Sequence, residues 1–341
     1  MKNLIKLLSF VFFAGTILMS CEGPEGTAGT DGMDGTAECM ACHNEGTAFA
    51  AKEAQFDVSA HSLGTYFSRG GQCAGCHSTE GFLARMDFTS INEIDGLGQD
   101  NQSPIACRTC HNVHLAYDET DWALTFTDQV TETIFGYEDG DGHESYSFGD
   151  YGNGNMCLQC HQARDRGNVP TATETADVTT GSTHWGPHYG VQGNVLQASG
   201  GVNILGDLSY PSTTGGHAGI DDACISCHMS GGNHSLEVSY DGCITCHTAG
   251  DAEDKVEDLE EEIHDLLFDL GKELAIAGVM TADVEDTDTV GYEPKNMTMT
   301  ADQAKGVYNY MVVYQDHSYG VHNPTYIRAL LNNSLDLVTA K

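Results

Sequence analysis

The chain has 341 residues, a formal charge of −36, 40 glycines and only 8% aromatic side chains. That charge, with no basic patch to offset it, excludes nucleic acid as a partner. Twelve of its 13 cysteines fall in six Cys-x-x-Cys pairs, which leaves nothing for a disulfide framework.

The N-terminus reads as an export signal over residues 1–20. Lys2 and Lys6 supply a short positive region, and the stretch Leu7 to Leu18 is almost wholly apolar. It is too short for a membrane span. The signal ends in Leu18-Met19-Ser20-Cys21, which resembles a bacterial lipobox and predicts a mature chain that begins at lipidated Cys21. A leftover cysteine in an exported chain calls for such a role. The expected location is the outer membrane, on its periplasmic or cell-surface face, with membrane attachment through the lipid.

Residues 21–38 carry glycine at every third position, Gly23, Gly26, Gly29, Gly32 and Gly35. This is the collagen period. Five triplets with Pro24 as the one proline read as a flexible tether instead, with a short trimerising stalk as the competing reading.

Residues 39–250 hold the chemistry. Six copies of Cys-x-x-Cys-His occur: Cys39, Cys42 and His43; Cys73, Cys76 and His77; Cys107, Cys110 and His111; Cys157, Cys160 and His161; Cys224, Cys227 and His228; Cys243, Cys246 and His247. Each reads as a c-type haem attachment site. The thiols add across the vinyl groups, and the adjacent histidine supplies one axial nitrogen. Zinc through paired cysteines does not require a histidine after every pair, and dithiol redox chemistry does not either. The expected cofactors are six covalently attached c-type haems. The motifs start at uneven intervals, without a fixed repeat. The fifth and sixth lie closest, which predicts a tight pair of haems there.

The second axial ligand decides function: a second histidine closes the haem for electron transfer, and an open position permits substrate chemistry. Of 16 histidines, ten lie outside the motifs. The favoured distal ligands are His61, His114, His188, His217, His234 and His322. His184 is the alternative to His188, and one of the two ligates while the other stands beside it. His264 falls on the charged side of a helix and reads as solvated, and His317 as a hydrogen-bond partner near a haem. His143 lies in an acidic glycine-rich loop without the spacing of an EF-hand. Residues 165–220, rich in Gly, Thr and Ser, read as long loops with short strands.

Residues 251–341 are different. Val256, Leu259, Ile263, Leu266, Leu270 and Leu274 recur at three- and four-residue steps, which predicts an amphipathic helix. Further helices are expected at about Ala301–Tyr314 and Pro324–Val338, with His322 just before a helix start because Pro324 disfavours helix at Asn323. These helices are expected to pack on the haem core, or to form a homo-oligomer interface. The fold class expected is mainly α with extensive irregular loops: a haem-packed multihaem cytochrome with a C-terminal helical segment.

The six motifs, the segment from Cys224 to Met229 followed by His234, and the ending Asp316-His317-Ser318-Tyr319-Gly320-Val321-His322-Asn323-Pro324 resemble multihaem c-type cytochromes. More narrowly, they are similar to the superfamily of pentahaem nitrite reductase, octahaem hydroxylamine oxidoreductase and their electron-transfer relatives. The resemblance implies a distal haem-ligand role for His322 before a long C-terminal helix. The chain departs from the catalytic members: it has no Cys-x-x-Cys-Lys motif, and six motifs rather than eight. The function expected is therefore an exported hexahaem cytochrome that passes electrons to a redox protein partner or an extracellular acceptor. The alternative is a reductase of a small nitrogen or sulfur oxyanion with one open haem, and no catalytic residue is assigned.

Overall fold

A computed structural model describes residues 43, 48–68, 73–86, 102–130, 147–164, 169–248, 250–282 and 291–340. The export signal, Cys21, the glycine-rich tether, Cys39, Cys42 and His143 lie outside the described residues. The chain divides into two compact units, Met1–Ala50 and Ala51–Lys341. In the first, the His43 ring meets Phe49 edge-on at 5.2 Å.

The fold is mainly α-helical with long irregular connections. Nine helices, most of them a turn or two long, precede the C-terminal segment among the described residues: α1 (Ala48–Phe56), α2 (Ala60–Leu63), α3 (Ala74–His77), α4 (Thr79–Met86), α5 (Cys107–Cys110), α6 (Asn155–Leu158), α7 (Gln192–Leu196), α8 (Ala223–His228) and α9 (Tyr240–Cys243). Three long helices follow: α10 (Asp251–Ile276), α11 (Ala301–Asp316) and α12 (Pro324–Thr339). The strands are minimal. β1 (Val178–Thr179) pairs antiparallel with β4 (Thr298–Met299), and β2 (Met280–Ala282) with β3 (Tyr292–Pro294). Among the described residues no helix is long and apolar enough to cross a membrane.

The long helices form where the periodicity places them, and local chemistry explains their ends. α10 buries Leu259, Ile263, Leu267, Leu270 and Leu274. Leu267 rather than Leu266 takes the central place, because the buried row runs at steps of four, four, three and four. The Thr300 side chain accepts from Gln303 N–H and Gln303 Oε1 accepts from Thr300 N–H, a capping box that starts α11. The Asn323 side chain accepts from Tyr326 N–H at 3.1 Å, with Pro324 in the first turn of α12. α11 ends at His317, whose backbone is left-handed at φ 58°.

These helices have an ordinary hydrophobic core. Ile263, Leu270, Leu274, Val307, Val312, Ile327 and Leu330 are fully buried in it, together with Trp185, Val191, Val195, Val202 and Ile204 from the irregular segment. Burial of each large aliphatic side chain contributes about 1.5–3 kcal/mol. The irregular segment is ordered by side chains that stand in for a missing strand partner. Buried Asn309 accepts from Val202 N–H at 2.7 Å and donates to Val202 O at 2.9 Å. Asn333 accepts from Leu208 N–H and donates to Leu208 O, and the Tyr326 hydroxyl accepts from Gly201 N–H. Buried and part-buried backbone groups are thereby satisfied without secondary structure.

Candidate haem-binding site

A Cys-x-x-Cys-His segment wound as one helical turn puts both thiols on one side and the histidine one residue further on. The described motifs adopt that turn. His111 N–H donates to Cys107 O at 2.9 Å, His161 N–H to Cys157 O at 2.9 Å and His247 N–H to Cys243 O at 2.8 Å. His77 and His228 close α3 and α8. The ten described motif cysteines form no disulfide.

Five motif histidines each face a histidine from elsewhere in the chain. His161 faces His61 with ring centroids 6.0 Å apart, His77 faces His188 at 6.1 Å, and His111 faces His234 at 6.2 Å. His228 faces His322 at 6.3 Å and His247 faces His217 at 6.5 Å. Two imidazoles bound to opposite faces of one metal ion stand about 6 Å apart, given a metal–nitrogen bond of about 2 Å on each side. His114, the sixth candidate, stacks on Tyr117 at 5.4 Å. His188 rather than His184 stands beside a motif histidine, and His184 lines a shallow cavity with His188, Tyr189 and Gln315.

Hydrogen bonds on the far side of these rings orient them. Nδ1 of His111 donates to Trp122 O at 2.8 Å, that of His228 to Leu236 O at 3.0 Å, and that of His217 to Val321 O at 2.7 Å. His234 Nδ1 donates to Gly232 O at 3.0 Å and His161 Nδ1 to Gln192 Oε1 at 3.1 Å. His322 Nδ1 donates to the Asp316 carboxylate at 2.8 Å. Oxygen partners of this kind fix the proton on Nδ1 and leave Nε2 with a lone pair for a metal. Burial, and then the charge of His161, pushes His61 down to about 4. Burial likewise lowers His161, His228 and His234. Neutral imidazole is the form that ligates. His322 differs: burial opposes its protonation, but the charge of Asp316 and the hydrogen bond to it prevail and raise it.

The motifs also crowd one another. Cys76 and Cys160 lie close enough to perturb one another, as do Cys157 and Cys224. Cys227 lies within electrostatic reach of Cys243, and Cys110 within reach of Cys157 and Cys160. Two glycines allow this closeness. A Cβ on Gly193 would stand 2.6 Å from His161 O, and one on Gly242 would stand 2.6 Å from Ser226 O, inside the fifth motif. Buried Arg85 donates to Cys76 Sγ at 3.3 Å and lies over the Phe82 ring.

Sequence reasoning missed the orienting partners. Backbone carbonyls carry no residue signature, and Gln192 and Arg85 belong to no motif. Asp316 stood in the segment that carries the resemblance, where His317 was expected as the hydrogen-bonding neighbour. His317 stacks on Tyr189 at 6.1 Å. His264 is 41% exposed in its side chain and leans on Tyr319.

Among the described residues no three His, Cys, Asp or Glu side chains converge as a set for a bare metal ion. Paired imidazoles with no third protein donor would leave the other positions of an iron to a macrocycle, and the helical Cys-x-x-Cys beside each pair would attach one. The donor set therefore fits c-type haem.

No protein-family model matches the sequence, and no curated protein does. Among solved structures, the chain is similar to outer cell wall cytochrome OcwA, at 17% identity and a TM-score of 0.50, over 84% of this chain and 50% of that one. It is also similar to an undecahaem cytochrome from the S-layer of Carboxydothermus ferrireducens, at 17% identity and a TM-score of 0.48, over 79% of this chain and 38% of that one. The likeness to OcwA is one of fold, and the chain spans half of that protein's length.

Proposed function

We propose that this chain is an exported hexahaem c-type cytochrome that carries electrons. The observation that carries the reading is the set of five facing imidazole pairs, each of a motif and a non-motif histidine at 6.0–6.5 Å. When bound, haem supplies a one-electron iron couple. The residues of the chain do the rest. Cys73, Cys76, Cys107, Cys110, Cys157, Cys160, Cys224, Cys227, Cys243 and Cys246 tether, as do Cys39 and Cys42 in the first motif. His77, His111, His161, His228 and His247 would hold the iron from the motif side, as His43 would in the first motif. His188, His234, His61, His322 and His217 would supply the second ligand of those five sites, and His114 is a further distal candidate by its sequence context.

The contacts among motif cysteines support a row in which the second, fourth, fifth and sixth sites follow one another, with the third beside the fourth. The partner at the end of that row is a redox protein or an extracellular acceptor. Cys21 anchors the chain by lipid after removal of residues 1–20, and residues 21–38 hold the haem-binding span, 39–250, away from the membrane. The C-terminal helices, 251–341, pack against that span and offer a surface for a homo-oligomer. OcwA is an outer cell wall cytochrome, which supports a surface location. The absent lysine-ligated motif supports placement among the electron-transfer relatives of the nitrite reductase and hydroxylamine oxidoreductase superfamily.

A reductive titration of the purified holoprotein tests this. It is expected to take up six electrons per chain, one for each motif, with no spectral change on addition of nitrite, hydroxylamine, cyanide or carbon monoxide. Steady turnover of nitrite or hydroxylamine would contradict it.

A further inference from the structure

We propose that Asp316 is a positioning residue that lowers the reduction potential of the fifth haem site, held by His228 and His322. The inference rests on the ligation proposed above. Six imidazoles hydrogen-bond to oxygen through Nδ1: His111, His217, His228 and His234 donate to backbone carbonyls and His161 to the Gln192 amide, all neutral oxygens. His322 alone of these six donates to a carboxylate, Asp316 Oδ1 at 2.8 Å.

The carboxylate is 2% exposed, so solvent and salt do little to damp its charge. Its other oxygen accepts from the Ser318 hydroxyl, and the same Ser318 oxygen accepts from His322 N–H at 3.2 Å. Asp316 is the last residue of α11, and the left-handed turn at His317 folds the chain back so that His322 comes under it. With a metal on Nε2, this pair would form a carboxylate–histidine–metal relay, in which the outer group makes the ligand more basic. A carboxylate that draws on the Nδ1 proton enriches the imidazole in electrons. An electron-rich axial ligand favours the ferric over the ferrous state and lowers the reduction potential. The proton is shared along the hydrogen bond and no bond is broken. The fourth and sixth sites flank the fifth through Cys157 beside Cys224 and Cys227 near Cys243. A lowered potential there raises the step that electrons climb in the middle of that row.

Potentiometric titration of the full-length holoprotein, followed by optical and EPR spectra, tests the proposal with two variants of opposite sign. Asp316→Asn keeps the shape and removes the charge, so one redox wave is expected to move to higher potential while the others stay. Ser318→Ala removes a donor from the carboxylate and leaves more charge facing His322, so the same wave is expected to move lower. An Asp316→Asn protein that keeps all its low-spin haems and all its wild-type waves overturns the proposal. Should Asp316→Asn fail to load haem, Ser318→Ala decides alone: a downward shift supports the proposal and an unmoved wave overturns it. A wild-type protein without bis-imidazole EPR signals would overturn the underlying ligation instead.

Discussion

An imidazole that holds a metal has two jobs, one for each nitrogen, and the far nitrogen governs whether the near one points correctly. Removal of a distal ring exposes this directly. In His188→Ala, the site of His77 loses its second face, and one haem is expected to turn high-spin in the ferric state and to bind carbon monoxide when reduced. Optical and EPR spectra of the variant would read this, and an unchanged low-spin spectrum would contradict it. At this scale the two halves of each site differ in legibility. The motif cysteines and histidines are contiguous, because covalent attachment needs thiols and ligand on a single helical turn. The facing histidines come from afar: His61 meets the fourth motif and His234 the third, although each lies in sequence beside another motif. That pairing is decided by tertiary packing, to which a lone histidine in a loop gives no clue. Asp316 is visible in the sequence as an acidic residue near His322, and only the turn at His317 reveals that it lies against the ring.

The elements divide in the same way. The helices near Val256, Ala301 and Pro324 follow from apolar spacing, a capping box and a proline, all local signals. The segment between the fourth and fifth motifs is ordered by asparagines on α11 and α12 that were anonymous until the fold placed them. Asn309→Ala leaves the N–H and C=O of Val202 without partners in a buried place, at a cost of about 1–3 kcal/mol for each group. Denaturant unfolding monitored by far-ultraviolet circular dichroism is expected to show that loss, and a midpoint equal to wild type would argue against it. Gly193→Ala tests the packing of α7 on the fourth motif. The added Cβ would lie 2.3 Å from Leu158 Cδ2 and 2.6 Å from His161 O. Backbone must shift, and the expected destabilisation is about 1–3 kcal/mol, accompanied by a change in the spectrum of the haem held by His161. Thermal melts and optical spectra together check it, and a variant with both unchanged would refute the contact.

For the molecule as a whole, charge is the dominant property. At −36 the protein repels anions and attracts cationic partners over a distance set by the ionic atmosphere. Electron exchange with a basic redox protein is expected to slow steeply as salt is raised in a stopped-flow experiment, and rates independent of salt would exclude electrostatic steering. The crowding of motifs within the unit Ala51–Lys341, with cysteines of the second and fourth and of the fourth and fifth close enough to perturb one another, suits the proposed row of haems. The C-terminal helices add a conventional core, and Asp316 and His322 lie at the connection between α11 and α12. The central claim, that facing imidazoles close the irons from both sides, is tested most directly by near-infrared magnetic circular dichroism of the fully oxidised holoprotein. Charge-transfer intensity equivalent to at least five bis-histidine haems per chain is the expected result, one for each facing pair. A spectrum dominated by high-spin or histidine–methionine haems would contradict it.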